Sequence, residues 1–198
     1  MLHDRSDCPV MRLLVDRTRR AEVSGPALAA AHRRVGMALA PFAARRCDLE
    51  DVEIAHVAGP STGTGIPAAR APIILVLMRA GLFVAEGLWE CLPGSALVPW
   101  DGRAASLDEV PIRGRPLLVV DSVINSGRSI DRALEAVLVR DPAWTTVVSL
   151  VANDEGLAAC RSRWPEVEFA VARVSRRSYV GKGSTDTGAR LFGSTAWD

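Results

Sequence analysis

The chain has a single lysine. Of its 24 basic residues only Lys182 is lysine, and every other one is arginine. Nucleotide composition produces biases of this kind, but it makes the place of that one ammonium group worth following. Cysteine and histidine are also scarce. Cys8, Cys47, Cys91 and Cys160 lie far apart with no Cys-x-x-Cys pair, and His3, His32 and His56 show no ligand spacing. Neither a zinc site nor a disulfide framework is expected. An excess of one charge is missing too: 24 basic residues stand against 23 acidic ones. No global field then favours nucleic acid or a membrane surface, and the clusters Arg17/Arg19/Arg20 and Arg33/Arg34 read as solvated helix faces. The longest apolar runs, such as PIILVLM at 72–78, are far too short to span a bilayer. The first residues are charged from the start, unlike a signal peptide, so the cytoplasm is the expected location. No repeat, low-complexity tract or linker interrupts the 198 residues, and a single domain over 1–198 is expected.

What is present is an alternation. Continuous apolar runs at 71–78, 116–120 and 145–152 have the composition of strands buried on both faces. Each is followed by a helical pattern, at 82–92, 129–139 and 154–164, and further strands are expected at 95–100 and 166–174. Near the N-terminus, Ser24-Gly25-Pro26 is a helix-start signal, and the helix it opens should kink or end at Pro41. Residues 52–58 alternate like a strand, whereas 59–72 and 101–114 read as loops. The predicted fold is α/β: a mostly parallel sheet flanked by helices, with an N-terminal helix. Ligands of such sheets bind at the carboxyl ends of the strands, where Arg79, Trp100 and Asp121 stand.

One junction carries chemistry. In LLVVDSVINSGRSIDRALEAVL (117–138) an apolar strand ends in an acid, then in Asn125-Ser126-Gly127-Arg128-Ser129, then in a helix. Gly127 permits a tight turn, and the first-turn N–H groups have no helical partners. With the helix dipole and the Ser126 and Ser129 hydroxyls they suit a phosphate. Asp121 is placed to accept hydrogen bonds from sugar hydroxyls.

This pattern resembles the phosphoribosyl pyrophosphate (PRPP) motif of type I phosphoribosyltransferases. Three more blocks are similar to the uracil phosphoribosyltransferase family: VLMRAGL (76–82), LVANDEGLAACRSRWPEVEFAVA (150–172) and SYVGKGSTDTGARLFGS (178–194). The resemblance implies a PRPP-binding core at about 70–172 and a C-terminal base-binding hood at about 173–195. It implies that Asn125, Ser126, Gly127, Arg128 and Ser129 hold the 5′-phosphate, Asp121 the ribose and Arg79 the pyrophosphate, with Arg103 as a second pyrophosphate arginine. Val123 and Ile124 would line the base pocket. Tyr179, Val180, Gly181, Lys182 and Gly183 would form the hood that reads the base edge. Asp186 would sit near the pyrophosphate and a Mg²⁺ ion carried by PRPP, completing a catalytic set with Arg79 and Asp121. The implied reaction joins PRPP to uracil or a related base and releases pyrophosphate, in a homodimer or larger oligomer. Arginines and Mg²⁺ would stabilise the leaving charge, and no nucleophilic side chain is required.

The chain departs from the family pattern at several positions. Arg128 replaces a glycine and either clamps the phosphate or points to solvent. Lys182 replaces a proline, freeing the backbone that would read uracil, and either meets an electron-rich group on a different base or faces water. Ser122 stands where many type I enzymes carry a second acid, and Ala189 stands where the hood has one. Two alternatives therefore accompany uracil transfer: a phosphoribosyltransferase acting on another heterocycle, and a catalytically weakened nucleotide sensor.

Overall fold

The apolar runs assemble into a six-stranded sheet in which every pairing is parallel. The computed structural model describes residues 1–178 and 181–194. In chain order the elements are β1 (Leu2–Asp4), α1 (Pro9–Arg19), α2 (Gly25–Ala43), β2 (Glu50–His56), β3 (Gly59–Gly65), β4 (Ile73–Leu77) and α3 (Leu82–Cys91). They continue with β5 (Ala96–Trp100), β6 (Pro116–Ile124), α4 (Arg128–Leu138), β7 (Trp144–Asn153), α5 (Asp154–Arg163), β8 (Glu168–Ser175) and α6 (Thr187–Phe192). The order across the sheet is β1-β8-β7-β6-β4-β5. The winding direction reverses between β4 and β6, which opens a crevice at their carboxyl ends.

Burial explains the continuous apolar strands. Every residue of β4 is buried, because α1, α2 and α3 cover one face of the sheet and α4 and α5 the other. On β6, Leu117 and Val119 pack toward α4 and α5, and Leu118 and Val120 toward α2 and α3. Helices α2 and α3 approach closely at two glycines. A Cβ built on Gly87 would lie 2.0 Å from the Arg33 carbonyl oxygen, and one on Gly36 would lie 2.1 Å from that of Val84. Gly87→Val should therefore force the helices apart and cost about 1–3 kcal/mol, as overpacked cores do. A lowered thermal midpoint is the readout, and an unchanged midpoint would contradict the contact.

Three elements differ from the sequence expectation. Residues 59–65, read as loop, form β3, which pairs antiparallel with β2 from Glu50↔Gly65 to His56↔Gly59. Its glycines mislead a composition-based reading, yet they have a steric role here, since a Cβ on Gly63 would lie 2.6 Å from Ile54 Cγ2. Residues 2–4 form an edge strand beside β8, too short to carry a periodic signal. Strand β6 runs on to Ile124, so Asp121 lies within the strand rather than after it. Helix α2 begins after Ser24 as expected, although that hydroxyl makes no capping hydrogen bond, and it ends two residues past Pro41.

The carboxyl halves of three adjacent strands share one irregularity. Strands β6 and β7 pair at Asp121↔Ser149 and next at Val123↔Val151; β7 and β8 pair at Ser149↔Val171 and next at Val151↔Arg173. At the skipped position, alternation fails. Ser122 and Val123 both turn toward the α1–α2 side, and Ile124 returns to the α4–α5 core. Leu150 with Val151, and Ala172 with Arg173, do the same before Ala152 and Val174 return. Ser149 Oγ lies 3.3 Å from the Ser122 carbonyl oxygen and 3.0 Å from that of Val151, within reach of acceptors beside the break.

Candidate active site

The phosphate-type loop is shaped from behind by α5. Gly127 has φ +81°, a left-handed conformation that favours glycine, and it immediately precedes α4. A Cβ there would also lie 2.3 Å from Cys160 Sγ, which donates a weak 3.8 Å hydrogen bond to the Gly127 carbonyl. On the same helix a Cβ on Gly156 would fall 1.7 Å from the Asn125 carbonyl oxygen. Asn153 fixes this start of α5 by accepting a 3.1 Å hydrogen bond from the Gly156 N–H. The 150–172 block thus supports the loop, a role invisible in its spacing. Arg128 is exposed, with Nε 3.3 Å from Ser126 Oγ, so its guanidinium stays beside the loop.

Asp121 and Ser129 line a cavity of about 250 Å³ at the sheet crevice, with Leu77, Met78, Trp100, Asp101, Gly102 and Arg132. Burial pushes the Asp121 carboxyl up to about 7, although the N–H groups of Ser122 and Val123 oppose the shift. Asp101 behaves oppositely. Hydrogen bonds from the Arg103 backbone and side chain lower it to about 2. Arg103 lies 2.5 Å from Asp101 and is exposed, so it reaches the rim of this cavity through its partner. Sequence reasoning missed Asp101 and Arg132. For Arg132 a signal existed, since three residues after Ser129 is the same face of α4.

Arg79 follows β4, after a cis Met78–Arg79 peptide. Its guanidinium lies 5.7 Å from the Phe192 ring of α6. A Cβ on Gly188 would be 3.2 Å from Asp186 Oδ1 and 3.6 Å from Arg79 Nη2, so the fold brings these two sequence-predicted residues together across about a hundred positions. Asp186 also caps α6, accepting a 2.7 Å hydrogen bond from the Ala189 N–H. Asp186→Ala should cost about 1 kcal/mol through the lost cap, and equal melting curves for the two proteins would exclude that role. Among the described residues no three His, Cys, Asp or Glu side chains cluster to cage a metal. The acids present, Asp101 and Asp121 on the cavity and Asp186 beside Arg79, fit a Mg²⁺ ion held mainly by substrate oxygens.

The residues expected to form the hood are described in part. Tyr179 and Val180 lie outside the described residues. Gly181 is half-buried, and a Cβ on it would be 2.5 Å from the Thr185 carbonyl oxygen. Lys182 and Gly183 are exposed, and Lys182 lines neither cavity of the site. Ile124 is 1% exposed and packs against the α4–α5 core, which leaves Val123 as the member of that pair with access to a ligand.

A second cavity, of about 390 Å³, opens on the other side of the β6 end. The doubled residues of the irregular strands face it, including Ser122, Val123, Val151 and Arg173. Ser122 Oγ lies 3.2 Å from His32 Nδ1 on α2. Burial, with Arg190 nearby, lowers His32 to about 4, so the imidazole is neutral near pH 7. Ser122 therefore faces away from Asp121, and a carboxylate at 122 would be buried against α2 instead of joining it. Neither His32 nor the break in alternation that exposes Arg173 was legible in the sequence.

Among curated proteins, the uracil phosphoribosyltransferase of Enterococcus faecalis is 29% identical over 176 residues, covering 81% of this chain and 83% of that one. The one from Alkaliphilus metalliredigens is 27% identical over 164 residues, covering 76% and 78%. Among solved structures, an Aquifex aeolicus protein superposes with a TM-score of 0.80 at 22% identity, over 97% of this chain and 98% of that one. A Trypanosoma cruzi hypoxanthine phosphoribosyltransferase solved with its product IMP gives 0.51 at 16% identity, over 80% and 79%. Residues 5–194 match the sequence pattern of the uracil phosphoribosyltransferase family, and the chain belongs to that family.

Proposed function

We propose that this protein transfers the 5-phosphoribosyl group of PRPP to uracil or a related pyrimidine-like base and releases pyrophosphate. One observation carries the reading: two cavities flank the carboxyl end of β6, Asp121 facing one and Ser122 with Val123 facing the other, with the phosphate-type loop directly following. A reaction between two bound substrates needs that arrangement. The 5′-phosphate sits on the N–H groups around Gly127 and on Ser126 and Ser129. Asp121 accepts hydrogen bonds from the ribose hydroxyls. Arg132 on the first cavity, and Arg79 at the end of β4 just outside its lining, would neutralise the pyrophosphate, and a Mg²⁺ ion carried by PRPP would add to that neutralisation. A base nitrogen in the second cavity attacks C1 as the C1–O bond to pyrophosphate breaks. The N–H proton of the base passes to solvent water or to the departing pyrophosphate, and no side chain forms a covalent bond.

Pyrophosphate release from PRPP and Mg²⁺, with and without added base, tests this. Base-dependent release is expected, together with a fall of about 100-fold for Arg79→Met, the scale of losing one fixed charge at a developing oxyanion. Release equal with and without base, or unaffected by the substitution, would argue against the mechanism. The family resemblance further carries a homodimer or larger, which light scattering reads directly.

A further inference from the structure

Four guanidinium groups and no carboxylate line the second cavity among the described residues: Arg19, Arg173, Arg177 and Arg190. Two are already engaged. Arg19 pairs with Asp16 at 2.7 Å, and Arg190 donates to the carbonyls of Arg20 and Val23 at 2.8 and 2.7 Å. The side chains of Arg173 and Arg177 have no hydrogen bond or ion pair among the described residues. Arg173 is half-buried, and burial together with Arg19 works against its charge, with only Asp16 in opposition. A neutral base gives these cations nothing to neutralise. Arg177 is exposed at the cavity mouth, and a half-buried Arg173 with no hydrogen-bonded partner favours an anion that arrives with the ligand.

The floor of the same cavity is apolar, with Val123, Leu150 and Val151 side by side because the strands double their facing residues there. A flat ring fits such a floor, and a planar carboxylate at its edge matches the fork of a guanidinium in a paired, two-bond contact. Lys182, the cation that sequence reasoning singled out, is exposed and lines neither cavity. The charge for the acceptor comes from the β8 end instead.

We infer that the acceptor of this protein is a pyrimidine-like heteroaromatic ring carrying a carboxylate, seated on Val123 and Val151 with its carboxylate on Arg173 and Arg177. The inference rests on the phosphoribosyl-transfer reading for the chemistry, but the carboxylate recognition can be measured without it. The probes are uracil, uracil-5-carboxylate and uracil-6-carboxylate, used with the full chain. Expected is at least a tenfold higher kcat/KM for one of the two acids than for uracil. Arg173→Gln should lower that preference tenfold or more, and Arg173→Lys should retain part of it. Uracil used as well as or better than both acids, or a preference untouched in Arg173→Gln, overturns the inference. Calorimetric binding of the same three compounds without PRPP separates the two readings. Acid binding that Arg173→Gln weakens tenfold supports the pocket even if no base is turned over, and transfer alone then fails. No acid binding to the wild-type chain overturns the pocket assignment, and transfer to uracil can still stand. Circular dichroism of the variants confirms folding, and loss of preference in an unfolded Arg173→Gln is replaced by the reading from Arg173→Lys.

Discussion

Asp121→Asn should lower base-dependent pyrophosphate release about 100-fold, the scale of a misplaced reacting group, while making the ligand-free protein more stable at pH 8. The two effects have one cause. The carboxyl is held in a cavity wall where burial raises it from 3.8 to about 7. A group with a raised folded value stabilises the fold when protonated. That contribution is complete below pH 3.8 and is lost as pH rises through about 7. At about 1.4 kcal/mol per unit, the shift from 3.8 to about 7 sets an upper bound near 4 kcal/mol, which partial solvent exposure reduces. Asparagine has the same shape and no charge to bury. The midpoint difference between variant and wild type should therefore be near zero at pH 4. It should grow through neutrality to several degrees at pH 8, given about 2–4 °C per kcal/mol at this size. A difference independent of pH, or a variant less stable at pH 8, would remove the argument. On the proposed reading, the same desolvated carboxyl would accept hydrogen bonds from the ribose hydroxyls, and an arginine or a Mg²⁺ ion brought with PRPP would favour its charged form.

Gly127→Ala should raise the KM for PRPP tenfold or more with a smaller effect on kcat, and a second substitution should recover part of the loss. Two penalties act at this position. Alanine at φ +81° carries a left-handed strain of about 1–2 kcal/mol. Its Cβ also meets Cys160 Sγ at 2.3 Å. Cys160→Ala shortens that side chain and should relieve only the contact. The double variant is expected to regain part of the PRPP affinity, leaving the strain as the remainder. Full additivity of the two substitutions would show that Cys160 does not press on the loop. Gly156→Ala tests the same support from the other side. Its Cβ would lie 1.7 Å from the Asn125 carbonyl oxygen, so α5 or the loop must move. A similar KM rise is expected, without rescue by Cys160→Ala.

Local chemistry was readable wherever a function needs residues adjacent in the chain. The phosphate-type loop is one turn, and Gly127 is required there by the backbone itself. The strands β4, β6 and β7 announced themselves because burial on both faces removes polar residues from a contiguous run. Strand β3 did not, since its glycines answer to the side chains of β2 across the ladder and look locally like a loop.

The sequence by itself determined the α/β alternation, the strand–loop–helix that would take a phosphate, and the family to which the chain belongs. Only the tertiary structure decided what surrounds that loop. It set Asp186 near Arg79 and α5 behind Gly127, and it aligned the interruptions of two neighbouring ladders so that Arg173 faces a cavity instead of alternating away. Spacing along one strand predicts side-chain direction only while pairing is regular. An interruption shared by neighbouring strands depends on their register, which no single segment contains.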